Sequence, residues 1–189
     1  MLCLLLAFGA DGGGFVPHTI FWADFIAREL GLGASAGAFF WMIFGLGALS
    51  GPFVAGFIGD RIGLAVALML LFAVKALAVW MPLLSVGPAA LAISSWLVGA
   101  LSPGLTSLLS ARLSMLIAPA QQAPTWAVAT LLFSLAQAGS AYGLSFIFAR
   151  LGSYLPLYAI GGGLEAVGTA FCILSFVATR KRRALSPAD

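Results

Sequence analysis

Gly56-Phe57-Ile58-Gly59-Asp60-Arg61-Ile62-Gly63 separates two long apolar runs, and its reading decides the architecture. Upstream, residues 35–59 are apolar enough for one membrane span; downstream, residues 65–85 supply another. An Asp/Arg pair at such a junction belongs at a membrane surface, where it can cap and bridge neighbouring helix ends. The glycines let those ends approach closely.

The same alternation continues outward. A helix crosses about 30 Å of hydrocarbon with roughly 20 residues. Six spans are predicted over about 2–28, 35–59, 65–85, 89–112, 124–150 and 155–179, followed by a basic cytoplasmic tail over 180–189. The first is interrupted at Gly12-Gly13-Gly14 and Pro17, the fourth contains Pro103-Gly104, and Pro124 suits the first turn of the fifth. The runs are continuous rather than alternating, which selects helices over barrel strands.

Composition excludes a soluble protein. Of 189 residues, 62% are hydrophobic and 8% charged, with a mean hydropathy of +1.10. A soluble domain carries about 25% charged residues. With six spans and short loops, little chain remains for a soluble catalytic site. The net charge of +3 comes largely from Arg180, Lys181, Arg182 and Arg183, a membrane anchor rather than a nucleic-acid footprint. Cys3 and Cys172 sit in apolar runs without metal-ligand spacing, and neither a metal nor a cofactor is implied.

Short-loop cations set the orientation. Arg61, Arg112 and the four tail cations fall on one side, and Arg28 and Arg150 on the other, with Lys75 mid-span completing the nine. The richer side is cytoplasmic, so both termini are expected there. Met1 leads directly into Leu2-Cys3-Leu4-Leu5-Leu6 with no basic leader, which is not a signal peptide and suits a chain that begins partway through a longer one.

Gly56, Gly59, Asp60, Arg61 and Gly63 resemble the G-x-x-x-D-R-x-G signature that joins the second and third helices of each half of a major facilitator superfamily transporter. Leu64-Ala65 stand where that family often adds basic residues, as in its C-terminal halves. Gly14-Phe15-Val16-Pro17-His18, Gly45 through Pro52, Gly99 through Gly104, Trp126 through Thr130 and Gln137 through Gly143 resemble the C-terminal half of the YbfB/YjiJ-like branch. The resemblance implies an all-α bundle of six transmembrane helices, built as two inverted three-helix repeats, in a bacterial inner membrane. It also implies a cavity shared with a second six-helix half, the first and fourth helices lining it. The second and fifth would face the other half, the third and sixth lipid.

A charge at the bilayer centre costs about 2.5–3.5 kcal/mol on insertion scales, so each needs a reason. Asp11 lies about 12 Å into the first span, and His18 follows seven residues later, on the same face of a continuous helix. Both are candidates for proton coupling or substrate contact; the plainer reading has each satisfying local backbone. Gln137 is a third candidate, since its amide cannot satisfy itself in lipid. Lys75 and Glu165 lie at equal depth, and a structural ion pair is the preferred reading, with snorkelling of Lys75 the alternative. Gly47 and Gly51 in the second span and Gly139 and Gly143 in the fifth recur every four residues, which suits either packing within the bundle or contact with the other half. The tryptophans are expected toward span ends.

These features favour a proton- or ion-coupled secondary transporter of a small organic solute over an enzyme. His18 is the only histidine and no serine lies in a G-x-S-G turn, against an intramembrane serine protease. Asp24 and Asp60 lie near the surfaces, against an aspartyl one, and no P-loop is present. A non-transporting membrane subunit is the remaining alternative.

Overall fold

In lipid every backbone polar group must bond within the chain, and helices do so segment by segment. The computed structural model describes residues 1–185, and no strand occurs among them. The chain begins with α1 (Leu2–Gly14) and continues through two π-helical turns, Pro17–Phe21 and Phe25–Glu29, around a single α turn, Trp22–Asp24. Five long helices follow: α2 (Gly33–Ile62), α3 (Leu64–Leu84), α4 (Pro88–Ser114), α5 (Pro119–Leu151) and α6 (Leu155–Leu185). All five are long and apolar enough to cross a membrane.

Several boundaries differ from the sequence reading. The second helix does not stop at Asp60-Arg61 but runs to Ile62, where Gly63 ends it at φ +85° and ψ 141°, a backbone state L residues rarely adopt. The fifth begins at Pro119, not Pro124. Extended Ala118 precedes Pro119, whose missing N–H costs nothing in the first turn, and Pro124 lies inside the helix. Of the expected tail, residues 180–185 prolong α6, and 186–189 lie outside the described residues.

Gly63 yields a direct test. Gly63→Ala should destabilise by about 1–3 kcal/mol through backbone strain. Gly56→Ala, where an added methyl meets open space, should not. Thermal unfolding of the two variants in detergent compares them.

The packing has an internal symmetry. α2 lies along α4, and α1 lies along α5; α3 packs on α4, and α6 packs on α1; α3 and α6 pack on each other. Exchanging the first three helical segments with the last three maps this pattern of neighbours onto itself. Met1, Leu116 and Thr179 line one recess, and Thr179, Gly63, Arg112 and Arg180 line another, which puts Met1 and the 179–180 turn of α6 with the Gly63 turn. Glu29 lies at the opposite end, bonded to Ser153 and Tyr154. Residues 2–29 therefore traverse the bundle, although the bulges divide them into pieces shorter than a regular span.

Large apolar side chains cover the outside. Phe53 is 79% exposed and Leu49 73%, and α5 presents Leu131, Leu135 and Phe146. Such a continuous apolar surface marks contact with lipid or protein. Inside, Asp11, His18, Lys75, Ser94, Ser95 and Glu165 are buried around the break after α1.

Candidate functional site: a buried charge cluster at a broken helix

Three charged side chains from three helices meet in the interior. Asp11 on α1 and Lys75 on α3 form an ion pair, and Lys75 Nζ lies 3.4 Å from Glu165 Oε1 on α6. Lys75 and Glu165 are 0% exposed and Asp11 is 1% exposed, so none snorkels to a surface. The Phe15 ring centroid lies 5.0 Å from the Lys75 ammonium. The geometry thus joins Lys75 to Glu165 and adds Asp11, making a triad where sequence reasoning had a pair. Asp11 at the same depth was the available signal, but the two-carboxylate arrangement depends on how three helices rotate.

The triple glycine explains how the cluster fits. A Cβ on Gly14 would lie 2.8 Å from Glu165 Cγ and 2.9 Å from its Oε1, so only glycine admits this carboxyl against the end of α1. On Gly161 of α6, a Cβ would lie 2.7 Å from the Gly14 carbonyl oxygen and from Pro17 Cγ. Gly12 abuts the Phe133 backbone of α5, with a would-be Cβ 3.0 Å from Phe133 Cα. Ser140 Oγ donates to the Gly13 carbonyl at 2.9 Å. Missing side chains let α1, α5 and α6 converge on one point, where Pro17 ends regular hydrogen bonding.

His18 does not join Asp11. Both are buried, but the π turns carry the chain off the 3.6-residue register, and His18 faces α4. Its Nε2 lies 2.8 Å from Ser94 Oγ, which donates to the Ala78 carbonyl at 2.7 Å. Trp22, expected near a span end, is fully buried; it stacks on His18 with centroids 4.3 Å apart and donates to Ser95 Oγ at 2.8 Å. Tyr158 of α6 meets the imidazole edge-on at 5.3 Å. His18 Nδ1, the Tyr158 hydroxyl and both Glu165 carboxylate oxygens are buried without a hydrogen-bond partner among the described residues.

At the Glu29 end, Tyr154 donates its hydroxyl to Asp24 and its backbone N–H to Glu29 at 2.6 Å. Burial, with the Asp24 carboxylate adding to it, pushes the Tyr154 phenol up to about 12, so it remains a donor. The Arg28–Asp24 pair at 2.7 Å is largely solvent-facing and contributes little.

The other candidates separate from this site. Gln137 is half-buried on α5 with no hydrogen bond among the described residues. Gly47 and Gly51 do not face outward towards another half; they form the seam where α2 meets α4. A Cβ on Gly47 would lie 2.9 Å from Ala100 N, and one on Gly51 would lie 2.7 Å from the Ala100 carbonyl carbon. Small residues on both helices at one crossing draw the backbones together, and this contact exhausts their space. Gly139 and Gly143 have nothing within 4 Å. In the signature turn, Gly59 packs against Leu108 and Leu64, whereas Gly56 and Gly63 are open. No group of three metal-ligating side chains occurs among the described residues.

Ser94→Ala should strip His18 Nε2 of its partner and destabilise by about 1–3 kcal/mol. Ser95→Ala should do the same through Trp22, read by thermal unfolding in detergent.

The family described as "Uncharacterised MFS-type transporter YbfB" has a model that matches residues 1–173. No curated protein matches the chain. A match over nearly the whole length, on a multi-pass helical chain with this signature turn, carries the assignment: the chain belongs to the YbfB family of major-facilitator-type transporters.

Proposed function

We propose that this chain is a six-span half of a secondary carrier, moving a small organic solute at the expense of a proton gradient, together with a second six-helix half. Residues 2–29 count as the first span because they run from one end of the bundle to the other. The exchange symmetry of the helix neighbours supports two three-helix repeats of opposite topology. The positive-inside bias supports an inner membrane with both termini and the Asp60–Arg61 turn in the cytoplasm. Exposed apolar faces of α2 and α5 suit contact with the second half.

The observation that carries this reading is the burial of Asp11, Lys75 and Glu165 beside a broken helix. Ionisable groups inside a membrane bundle are expensive, and discontinuous helices at mid-depth are where carriers bind solutes and ions. A scaffold would be more stable with apolar residues at these positions.

The test is solute-dependent proton flux. The chain, alone and co-expressed with a six-helix partner half, is reconstituted into vesicles holding a pH-sensitive dye. Panels of amino acids, sugars and organic acids are then added outside. At least one class should shift internal pH, and a protonophore should abolish the shift. Correctly inserted protein that gives no flux with any class in either format supports the non-transporting alternative.

A further inference from the structure

We infer that Glu165 is the proton-exchange group of the cluster, reached from the Asp24–Tyr154 end past Tyr158 and His18. This deepens the carrier reading by naming the group that holds the proton.

Charge balance is the first argument. Two carboxylates share one ammonium in a space closed to solvent. Asp11 holds the closer contact with Lys75; Glu165 Oε1 makes the longer ion pair at 3.4 Å, and neither Glu165 oxygen accepts a hydrogen bond among the described residues. A buried carboxylate without a close hydrogen-bond donor is costly, and of the two acids Glu165 is the less well satisfied. Among the described residues no second lysine or arginine is buried beside it. α1 and the segment after it bring Asp11 and His18, α3 brings Lys75, and α6 itself adds Tyr158 and Cys172. α4 contributes the hydroxyls of Ser94 and Ser95. The titratable groups of α5, Tyr142 and Arg150, are exposed.

The second argument is the direction of access. From the triad towards the end holding Met1, the interior is mainly apolar: Leu4, Leu5, Phe8, Leu68, Leu71 and Phe72 belong to one packed cluster, and Ser175 adds a buried hydroxyl nearer that end. Towards the other end, polar atoms continue. Tyr158 and Glu165 lie seven residues apart on one face of α6, and Tyr154 stands just before its first turn. His18 meets Tyr158, and His18 Nδ1 and the Tyr158 hydroxyl are buried without partners. Tyr154 bonds Asp24 at the end of the series. Water entering between these atoms completes the route.

The step is a proton transfer only. Hydronium at the Asp24 end gives up a proton and leaves as water, and an O–H bond forms on a Glu165 carboxylate oxygen. Lys75 then rests with Asp11 alone. Loss of that proton returns Lys75 to a position between two anions. Gly14 gives the carboxyl room for both states.

Carbodiimide labelling tests the assignment. Dicyclohexylcarbodiimide reacts with protonated carboxyls in apolar surroundings, and peptide mass mapping of the intact chain in lipid locates the adduct without a variant. The expected adduct lies on Glu165 alone, its yield falling as the buffer is raised from acid to alkaline. It is absent in E165Q and retained in D11N. Exchange of the protonated carbonyl infrared band into D2O should slow several-fold in Y158F and in H18Q. An adduct on Asp11 instead, no adduct at any pH, protection by sodium but not by choline, or unchanged exchange in both variants would overturn the inference. None of these outcomes bears on solute-driven flux. A Glu165 adduct in protein that shows no such flux would sink the carrier reading and leave the proton site standing.

Discussion

Lys75→Met should largely abolish recovery of folded protein. Removing the ammonium leaves Asp11 and Glu165 facing each other with no other buried lysine or arginine among the described residues. Breaking a buried ion pair by deleting one partner costs about 3–5 kcal/mol, a large part of a bundle's stability. Neutralising all three positions (Asp11→Asn, Lys75→Met and Glu165→Gln) should restore folding, because no unpaired charge remains. Each single neutralisation of a carboxylate should be milder than loss of the lysine, since one anion still balances it. The measurement is the monodisperse fraction after detergent extraction, followed by thermal unfolding. A well-folded Lys75→Met single variant would show that the cluster has outside compensation and that the triad is misread.

The second large effect concerns the seam between α2 and α4. Gly51→Val and Gly99→Val should each cost about 3 kcal/mol or more, because the added atoms meet backbone rather than flexible side chains. On Gly51 even a Cβ would lie 3.0 Å from Ala100 Cα, and on Gly99 it would lie 2.8 Å from the Phe44 carbonyl carbon. Backbone can yield only by pushing the two helices apart. Gly139→Val is the control, since its Cβ points into open space. If Gly139→Val disturbs assembly with a second half while leaving the isolated bundle intact, α5 and not the α2 glycine seam faces the partner.

What the sequence made legible follows from how each feature is encoded. Helix class and approximate spans lie in composition and run length, which need no tertiary information. The Asp60–Arg61 turn is local, and so is the break at Gly14 and Pro17. The equal depth of Lys75 and Glu165 could be counted along two spans. Rotation about each helix could not. Asp11 and His18 share a face only if the helix is regular, and the end of α1 at Gly14 with the π turn from Pro17 undoes that register. The same rotation takes Trp22 from an interfacial position into the core against Ser95. The Gly47–Gly51 stripe was readable as a packing face, but periodicity does not name the neighbour, and α4 occupies it. Start positions misread at Pro124 reflect two prolines five residues apart, of which the first takes the helix N-terminus.

The glycine positions also show how a mostly apolar chain places polar chemistry. Leucine-rich faces pack or meet lipid without specificity, so the close approaches at Gly12, Gly14 and Gly161 fix where α1, α5 and α6 meet. That point coincides with the triad. Stability of the crossing and geometry of the charges are therefore coupled, and substitutions at Gly14 should displace Glu165 before they unfold the bundle.

Cysteine accessibility mapping tests the central claim, a bundle crossed six times with the break and its charges inside. Cys3 and Cys172 are first replaced by alanine, and single cysteines are placed at Arg61, Ser114 and Ser153. An impermeant maleimide is then applied to sealed vesicles of known orientation. The account expects positions 61 and 114 to label only from the cytoplasmic face and position 153 only from the opposite face. Labelling of 61 and 153 from the same face, or of 61 from outside, would contradict it.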